Sequence, residues 1–186
     1  MTRIALAVLF AAAAACAAIA QDADRGLIDA NNNLSSKLGR FAVTLPAGFG
    51  PYTFTEQKKT SDGDDNMVIN QYSSDGKRGT WMIGYYDLSA KLLADKTTQK
   101  ILDDAQDGSV KAVSGSLKRD DAITVDGFPG KSFYVEIVNG DKTIYARDVF
   151  VLAKLRVYNF LFLSVDESEL YKPDVKKYFD SFHITN

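Results

Sequence analysis

One cysteine, one histidine and no surplus of positive charge mark this chain of 186 residues, and each shortage removes a class of function. A lone cysteine cannot close an intramolecular disulfide, and a lone histidine cannot anchor a zinc-type site rich in histidine or thiolate. Twenty-two basic side chains stand against twenty-four acidic ones, a formal net charge of −2. No cationic excess exists to displace the counterions of a polyanion, so nucleic acid is not expected as a partner. Also missing are a Gly-x-x-x-x-Gly-Lys-Ser/Thr loop, a Gly-x-Gly-x-x-Gly helix opening and a Gly-x-Ser-x-Gly elbow. Those are the local signatures of phosphate cradles, dinucleotide sites and hydrolase nucleophiles. A Ser–His–Asp system could draw only on His183, three residues from the end, which reads as an ordinary residue of a last strand. Nothing implies a cofactor.

Long apolar runs are scarce too. The run from Ile4 to Cys16 is the main one, shorter than the roughly twenty residues of a membrane-spanning helix. It follows Arg3 and ends in Ala18-Ile19-Ala20 before Gln21. A basic start, an apolar middle and a small-residue exit describe a secretory signal peptide over residues 1–20, removed on export. The alternative is a lipid anchor at Cys16, but lipoprotein leaders usually carry leucine three positions before the cysteine, and here Ala13 stands there. Cleavage after Ala20 leaves no cysteine, with 21 basic and 24 acidic side chains, net −3. The expected address is the bacterial periplasm or the medium, and no transmembrane segment follows.

Residues 21–37 are polar, include Asn31-Asn32-Asn33 and suggest a flexible tether. A single domain is expected over residues 38–186. Phe41, Val43 and Leu45 alternate with Ala42 and Thr44 before Pro46, as in a half-buried strand. Thr53 to Lys59 and Met67 to Ser73 read as a hairpin about the acidic loop Ser61 to Asn66, followed by a strand from Thr80 to Tyr86. The period then changes: Leu88, Leu92, Ile101, Leu102 and Ala105 predict an amphipathic helix over Ser89 to Gln106, stopped by Gly108. A modest strand is expected at Val110 to Leu117. Lys131 to Val138 and Thr143 to Leu152 flank Asn139-Gly140, a strong hairpin signal. Leu155 to Val165 is apolar on both sides, so that strand must be central in a covered sheet. Pro173, Val175, Tyr178, Phe179 and Phe182 predict a C-terminal helix, and Ser181 to Thr185 an extended end. The class is α+β, with helices above and below an antiparallel sheet of about six or seven strands.

Four segments together resemble exported bacterial proteins of the PsbP-like, Mog-type superfamily. They are Gly39-Arg40-Phe41-Ala42-Val43-Thr44-Leu45-Pro46; Val125-Asp126-Gly127-Phe128-Pro129-Gly130-Lys131; Tyr145-Ala146-Arg147-Asp148 with Arg156-Val157-Tyr158; and Lys177-Tyr178-Phe179-Asp180-Ser181-Phe182. The resemblance implies an α/β/α sandwich around an antiparallel sheet. It implies mostly non-enzymatic accessory roles: extrinsic photosystem subunits, regulators of a small GTPase and envelope proteins. It transfers no functional residue, because one fold hosts several roles.

Two clusters remain as candidate sites. Arg147, on the same side of its strand as Tyr145, could face an acidic ligand, or pair with a carboxylate such as Asp148 or Glu136 while its stem packs on aromatics. With Tyr145, Tyr158 and Trp81 it forms the ligand-binding candidate; Tyr85, Tyr86 and Tyr134 belong to the same aromatic set, which could equally be cross-strand pairs. Asp62, Asp64 and Asn66 put oxygens at alternate positions, as a calcium loop does. The sixth position is Met67 and the twelfth Ser73, however, so a solvated turn explains them as well. Asp103, Asp104 and Asp107 could hold a cation near a helix C-terminus, where the dipole disfavours anions, or simply face solvent. The expected function is a non-catalytic accessory or interaction protein of the cell envelope, acting on a protein partner; the alternative is a small-ligand or ion-binding module. Intact mass of the protein purified from its host should correspond to a chain starting at Gln21, and a diacylated chain starting at Cys16 would refute that cleavage.

Overall fold

A computed structural model describes residues 26–60 and 66–185. The expected leader and Cys16 lie outside the described residues. Strands β1 (Leu27–Ile28), β2 (Asn33–Ser36) and β3 (Phe41–Thr44) are followed by β4 (Thr53–Thr60), β5 (Asn66–Gly76) and β6 (Gly79–Asp87). Helices α1 (Ala90–Asp95) and α2 (Thr98–Ala112) lead to β7 (Ser116–Val125), β8 (Phe128–Asn139), β9 (Lys142–Ala153) and β10 (Arg156–Ser164). A 3-10 turn (Glu167–Tyr171), α3 (Pro173–Asp180) and β11 (His183–Ile184) complete the order. The strands form a seven-stranded antiparallel sheet, β4-β5-β6-β10-β9-β8-β7, and a four-stranded one, β1-β2-β3-β11.

The two-sided apolar strand takes the central place its pattern demands. On β10, Tyr158, Phe160 and Phe162 face one core and Val157 and Leu161 the other. On the second face the core is closed by Ile101, Leu102 and Ala105 of α2, with Leu92 and Leu93 of α1 at its margin. On the first face, Val175, Tyr178 and Phe179 of α3 share the cover with Leu34, Phe41 and Val43 of the small sheet. Helices were expected over both faces; the first face carries α3 together with the four-stranded sheet. The reason is size. An eight-residue helix is about 12 Å long, whereas seven strands span roughly 30 Å.

The polar stretch expected to be a tether is built into the domain from Gly26 onward. Leu34 and Ser36 are buried, and the run of asparagines is a turn. Asp29 accepts from the amides of Asn31 and Asn33, and Asn32, at φ 63°, donates its side-chain amide to the carbonyls of Leu45 and Pro46. Low hydrophobicity here encodes hydrogen-bonded turn chemistry. The expected first helix is two helices, because Thr97 adopts extended geometry and caps the amide of Lys100. Gly108 is buried inside α2 rather than ending it. The stop comes at Ser114, φ 51°, and Gly115, so Val110 to Ala112 is helix and the strand starts at Ser116.

The segments that carried the family resemblance are sites of close packing. Phe182 stacks on Phe160 with centroids 4.3 Å apart and on Phe41 at 5.7 Å. The buried Tyr178 hydroxyl donates to the Met82 carbonyl at 2.7 Å, and Ser181 Oγ accepts from the Thr44 amide at 2.9 Å. Asp126 and Gly127, at φ 50° and 82°, make a two-residue hairpin turn. A Cβ on Gly130 would meet the Phe150 carbonyl oxygen at 2.5 Å, so only glycine fits there. Replacing Phe160, 1% exposed, with alanine should lower stability by about 3–5 kcal/mol, measured by urea unfolding.

Candidate functional site

Two regions on the first face of the large sheet carry polar and aromatic groups that the core does not use. One is a strip on β7, β8 and β9. Arg147 and Tyr145 share a face of β9, as their spacing predicts, and lie opposite Tyr134 and Glu136 of β8. The Arg147 guanidinium stands 4.1 Å over the Phe179 ring and 5.8 Å from the Tyr134 ring, and Nε donates to Ser132 Oγ at 3.4 Å. Tyr134 stacks on Tyr171, centroids 6.1 Å apart, and Arg119 lies 5.9 Å from the Tyr134 centroid. Tyr171 is 60% exposed and Val138 at the same end of β8 is 65% exposed. Beside them Arg119 pairs with Asp121 at 2.7 Å and Lys118 with Glu136 at 3.1 Å. The arginine stem does pack on aromatics, but no carboxylate partner of Arg147 occurs among the described residues.

The other region is a cleft of about 570 Å3 at the opposite end. The β7–β8 turn at Asp126, the β9–β10 turn Lys154-Leu155, the chain entering at Arg40 and the chain leaving at Ile184 and Thr185 converge on it. Arg156 holds Asp87 with two parallel bonds, Nε to Oδ1 at 2.7 Å and Nη2 to Oδ2 at 2.8 Å. Its Nη1 donates to the Leu38 carbonyl at 2.8 Å, and its plane lies 4.8 Å from the Tyr85 centroid. This guanidinium holds the Asp87 carboxyl below its usual range. The Tyr158 hydroxyl donates to the Gly39 carbonyl at 3.0 Å. Asp126 accepts from the Ile184 amide at 2.7 Å, and Thr185 N donates to the Arg40 carbonyl at 2.9 Å. Arg40 and Lys154 on the rim make no side-chain hydrogen bond or ion pair among the described residues. Arg40, Asp126, Lys154 and Arg156 were not singled out in sequence; Arg40, Asp126 and Arg156 did sit inside the segments carrying the resemblance.

The structure therefore joins Arg147 to Tyr145 and separates both from Tyr158. Val151, the partner of Tyr158 on β10, is six positions along β9 from Tyr145, about 20 Å. Trp81 is fully buried in the core that the small sheet covers, and its indole N–H has no partner among the described residues. Asp62 and Asp64 lie outside the described residues, and for Asn66 only the backbone, paired with Thr60, is described. The aspartates of α2 meet the chain's own lysines: Asp103 binds Lys131 at 2.7 Å, Asp104 binds Lys96 and Lys100 at 2.6 Å, and Asp107 faces Lys111 at 3.9 Å. His183 is exposed, 3.4 Å from Asp126. No group of three or more candidate metal ligands occurs among the described residues.

Beneath α2 lies the buried carboxylate Asp148, 3% exposed. It accepts from Ser109 Oγ at 2.8 Å and from the Asn159 side-chain amide. Burial pushes its pKa up to about 6, against the opposing pull of those donors. α2 closes it off, so it is a structural group.

No family profile matches the chain, and no curated protein does. Among solved structures, the solution structure of cyanobacterial PsbP (CyanoP) from Synechocystis sp. PCC 6803 superposes with a TM-score of 0.52 at 14% identity, over 91% of this chain and 97% of that one. The fold is PsbP-like. A Pseudomonas aeruginosa protein of unknown function, PA94, matches at 12% identity over 66% of this chain and 88% of that one, with a TM-score of 0.43.

Because the folded-state pKa of Asp148 lies above the usual carboxylate value, the native state holds the extra proton between about pH 4 and 6. Its contribution to stability therefore falls as pH rises through that window. Asp148→Asn, which mimics the protonated form, should match the parent near pH 4. Above pH 6 it should be more stable by roughly 2–3 kcal/mol, read as the difference between urea-unfolding free energies across pH.

Proposed function

We propose that this chain is an exported, non-catalytic accessory protein of the bacterial cell envelope, within the wider PsbP-like, Mog-type kinship, and that it acts by binding a protein partner. The observation that carries this reading is the strip formed by Arg119, Tyr134, Tyr171 and Arg147. Aromatic and arginine side chains concentrate in the energetic centres of protein interfaces. Here they are already held in ring stacks and cation–π contacts, which lowers the ordering cost on association. The chemistry of the titratable groups supports the same reading. Asp148 is enclosed, Asp87 is committed to Arg156, and Asp103 to Lys131.

A second reading, a ligand-binding module, is favoured by the cleft at Arg40 and Lys154. The two regions make separate demands on experiment. Immobilised protein exposed to its host's envelope extract should retain a partner. The double substitution Arg119→Ala, Tyr171→Ala, at two exposed positions, should reduce that retention about tenfold while the melting temperature holds. Equal retention by both forms, or no specific protein on the parent, would remove the proposal's basis.

A further inference from the structure

The cleft between the β7–β8 and β9–β10 turns has a composition that the fold alone does not require. Arg40 and Lys154 both adopt left-handed backbone geometry, φ 54° and 57°, which costs an L-residue about 1–2 kcal/mol. Glycine takes that geometry freely. Each of these values belongs to a hairpin loop: Asp126, at φ 50°, lies in the two-residue turn between Val125 and Phe128, Lys154 in the two-residue turn between Ala153 and Arg156, and Arg40 closes the four-residue loop between Ser36 and Phe41. The turns ask for that backbone geometry but not for charge, and at two positions where glycine would serve the backbone as well the chain carries long cationic side chains.

The charges at the cleft are unevenly committed. Of its two carboxylates, Asp87 is taken by Arg156 and Asp126 by the Ile184 amide. Among the described residues Arg40 and Lys154 make no ion pair, although Arg40 adds to the pull of Arg156 on the Asp87 carboxyl, in a chain whose overall charge is −2. Between them the lining is apolar: Phe128, Ala153, Leu155 and Ile184, with the Tyr158 ring. Leu155 and Leu38 beside it remain 45% and 52% exposed. A volume of about 570 Å3 falls within the range of small-molecule sites, about 300–1,000 Å3.

We infer that this cleft binds an alkyl carboxylate of medium chain length, its head between Arg40 and Lys154 and its chain against Phe128, Leu155 and Ile184. Free phosphate satisfies the cations but not the apolar lining, and an aliphatic alcohol the reverse. The inference goes beyond the partner-binding proposal and does not rest on it, since the strip lies at the other end of the sheet.

The test uses the purified chain and octanoate as probe, with acetate, inorganic phosphate and octanol as comparators, followed by amide and methyl chemical shifts. Saturable shifts centred on Phe128, Leu155 and Ile184 are expected, with acetate, phosphate and octanol each about tenfold weaker, and weakening in raised salt. The decisive variant is Arg40→Gly with Lys154→Gly. Glycine suits both backbone positions, so the melting temperature should stay within about 2 °C of the parent or rise, while octanoate affinity falls about tenfold or more. Unchanged octanoate binding in that folded variant overturns the inference. So does phosphate binding as well as octanoate, or binding to phosphatidylglycerol vesicles without binding of monomeric octanoate, which would make the cleft a membrane-surface site.

Discussion

A strand buried on both faces sets the terms for everything else in this molecule. β10 offers aromatic rings to one side and branched aliphatics to the other, and neither set can meet water without a large hydrophobic penalty. Both faces of its sheet must therefore be covered. Neighbours β6 and β9 repeat the pattern, with Trp81, Ile83, Val149 and Val151 on the first face and Met82, Phe150 and Leu152 on the second. Two separate cores follow from that one constraint, and each calls for its own cover. α2 answers on one side. On the other, α3 is too short, and β1 to β3 are drawn in, with β3 pairing to β11.

That closure gives the segments on either side of β3 and β11 structural work. Gly39 and Arg40 are fixed by Tyr158 and Arg156, and Ile184 and Thr185 by Asp126 and Arg40. Segments far apart in sequence meet two hairpin turns there, and a cleft results. On the opposite end the sheet outruns its cover, so Tyr134 and Tyr171 stay accessible. Under α2 the polar groups do a different job. Lys131, buried to 8% exposure, reaches Asp103, Gln106 and Asp120, and Ser109 reaches Asp148. These bonds tie the helix to β7, β8 and β9 in one register, because sliding it would leave buried polar groups unpaired.

Much of this is legible in the sequence. Strand periods around Phe41, Phe133 and Phe160 and the stripe Val175, Tyr178, Phe179 gave elements close to those found, since alternation and helical spacing report which face is buried. What misled was local chemistry with two meanings. Gly108 looked like a helix stop and is a buried helical residue; the asparagines at 31–33 looked like solvent-exposed tether and form a turn. β7 is harder to read because its first five residues are exposed on both sides at the sheet edge, and only its last five alternate, with Ile123 and Val125 turned to the core. Of the candidate site residues, Arg147 and Tyr145 could be placed together from spacing alone. Their distance from Tyr158 could not.

The α+β class and the central strand are written in the sequence, as are a single cysteine, a single histidine and a lack of cationic excess. Those depend on composition and on periods within single segments, which need no partner to be read. The three-dimensional fit settled that β3 would pair with β11, that Trp81 would be sealed, that Arg147 would lie on Phe179, and that Arg40 and Lys154 would share a cleft. Each of these joins residues dozens of positions apart, and such pairings are selected by the fit of two covered faces rather than by any local preference.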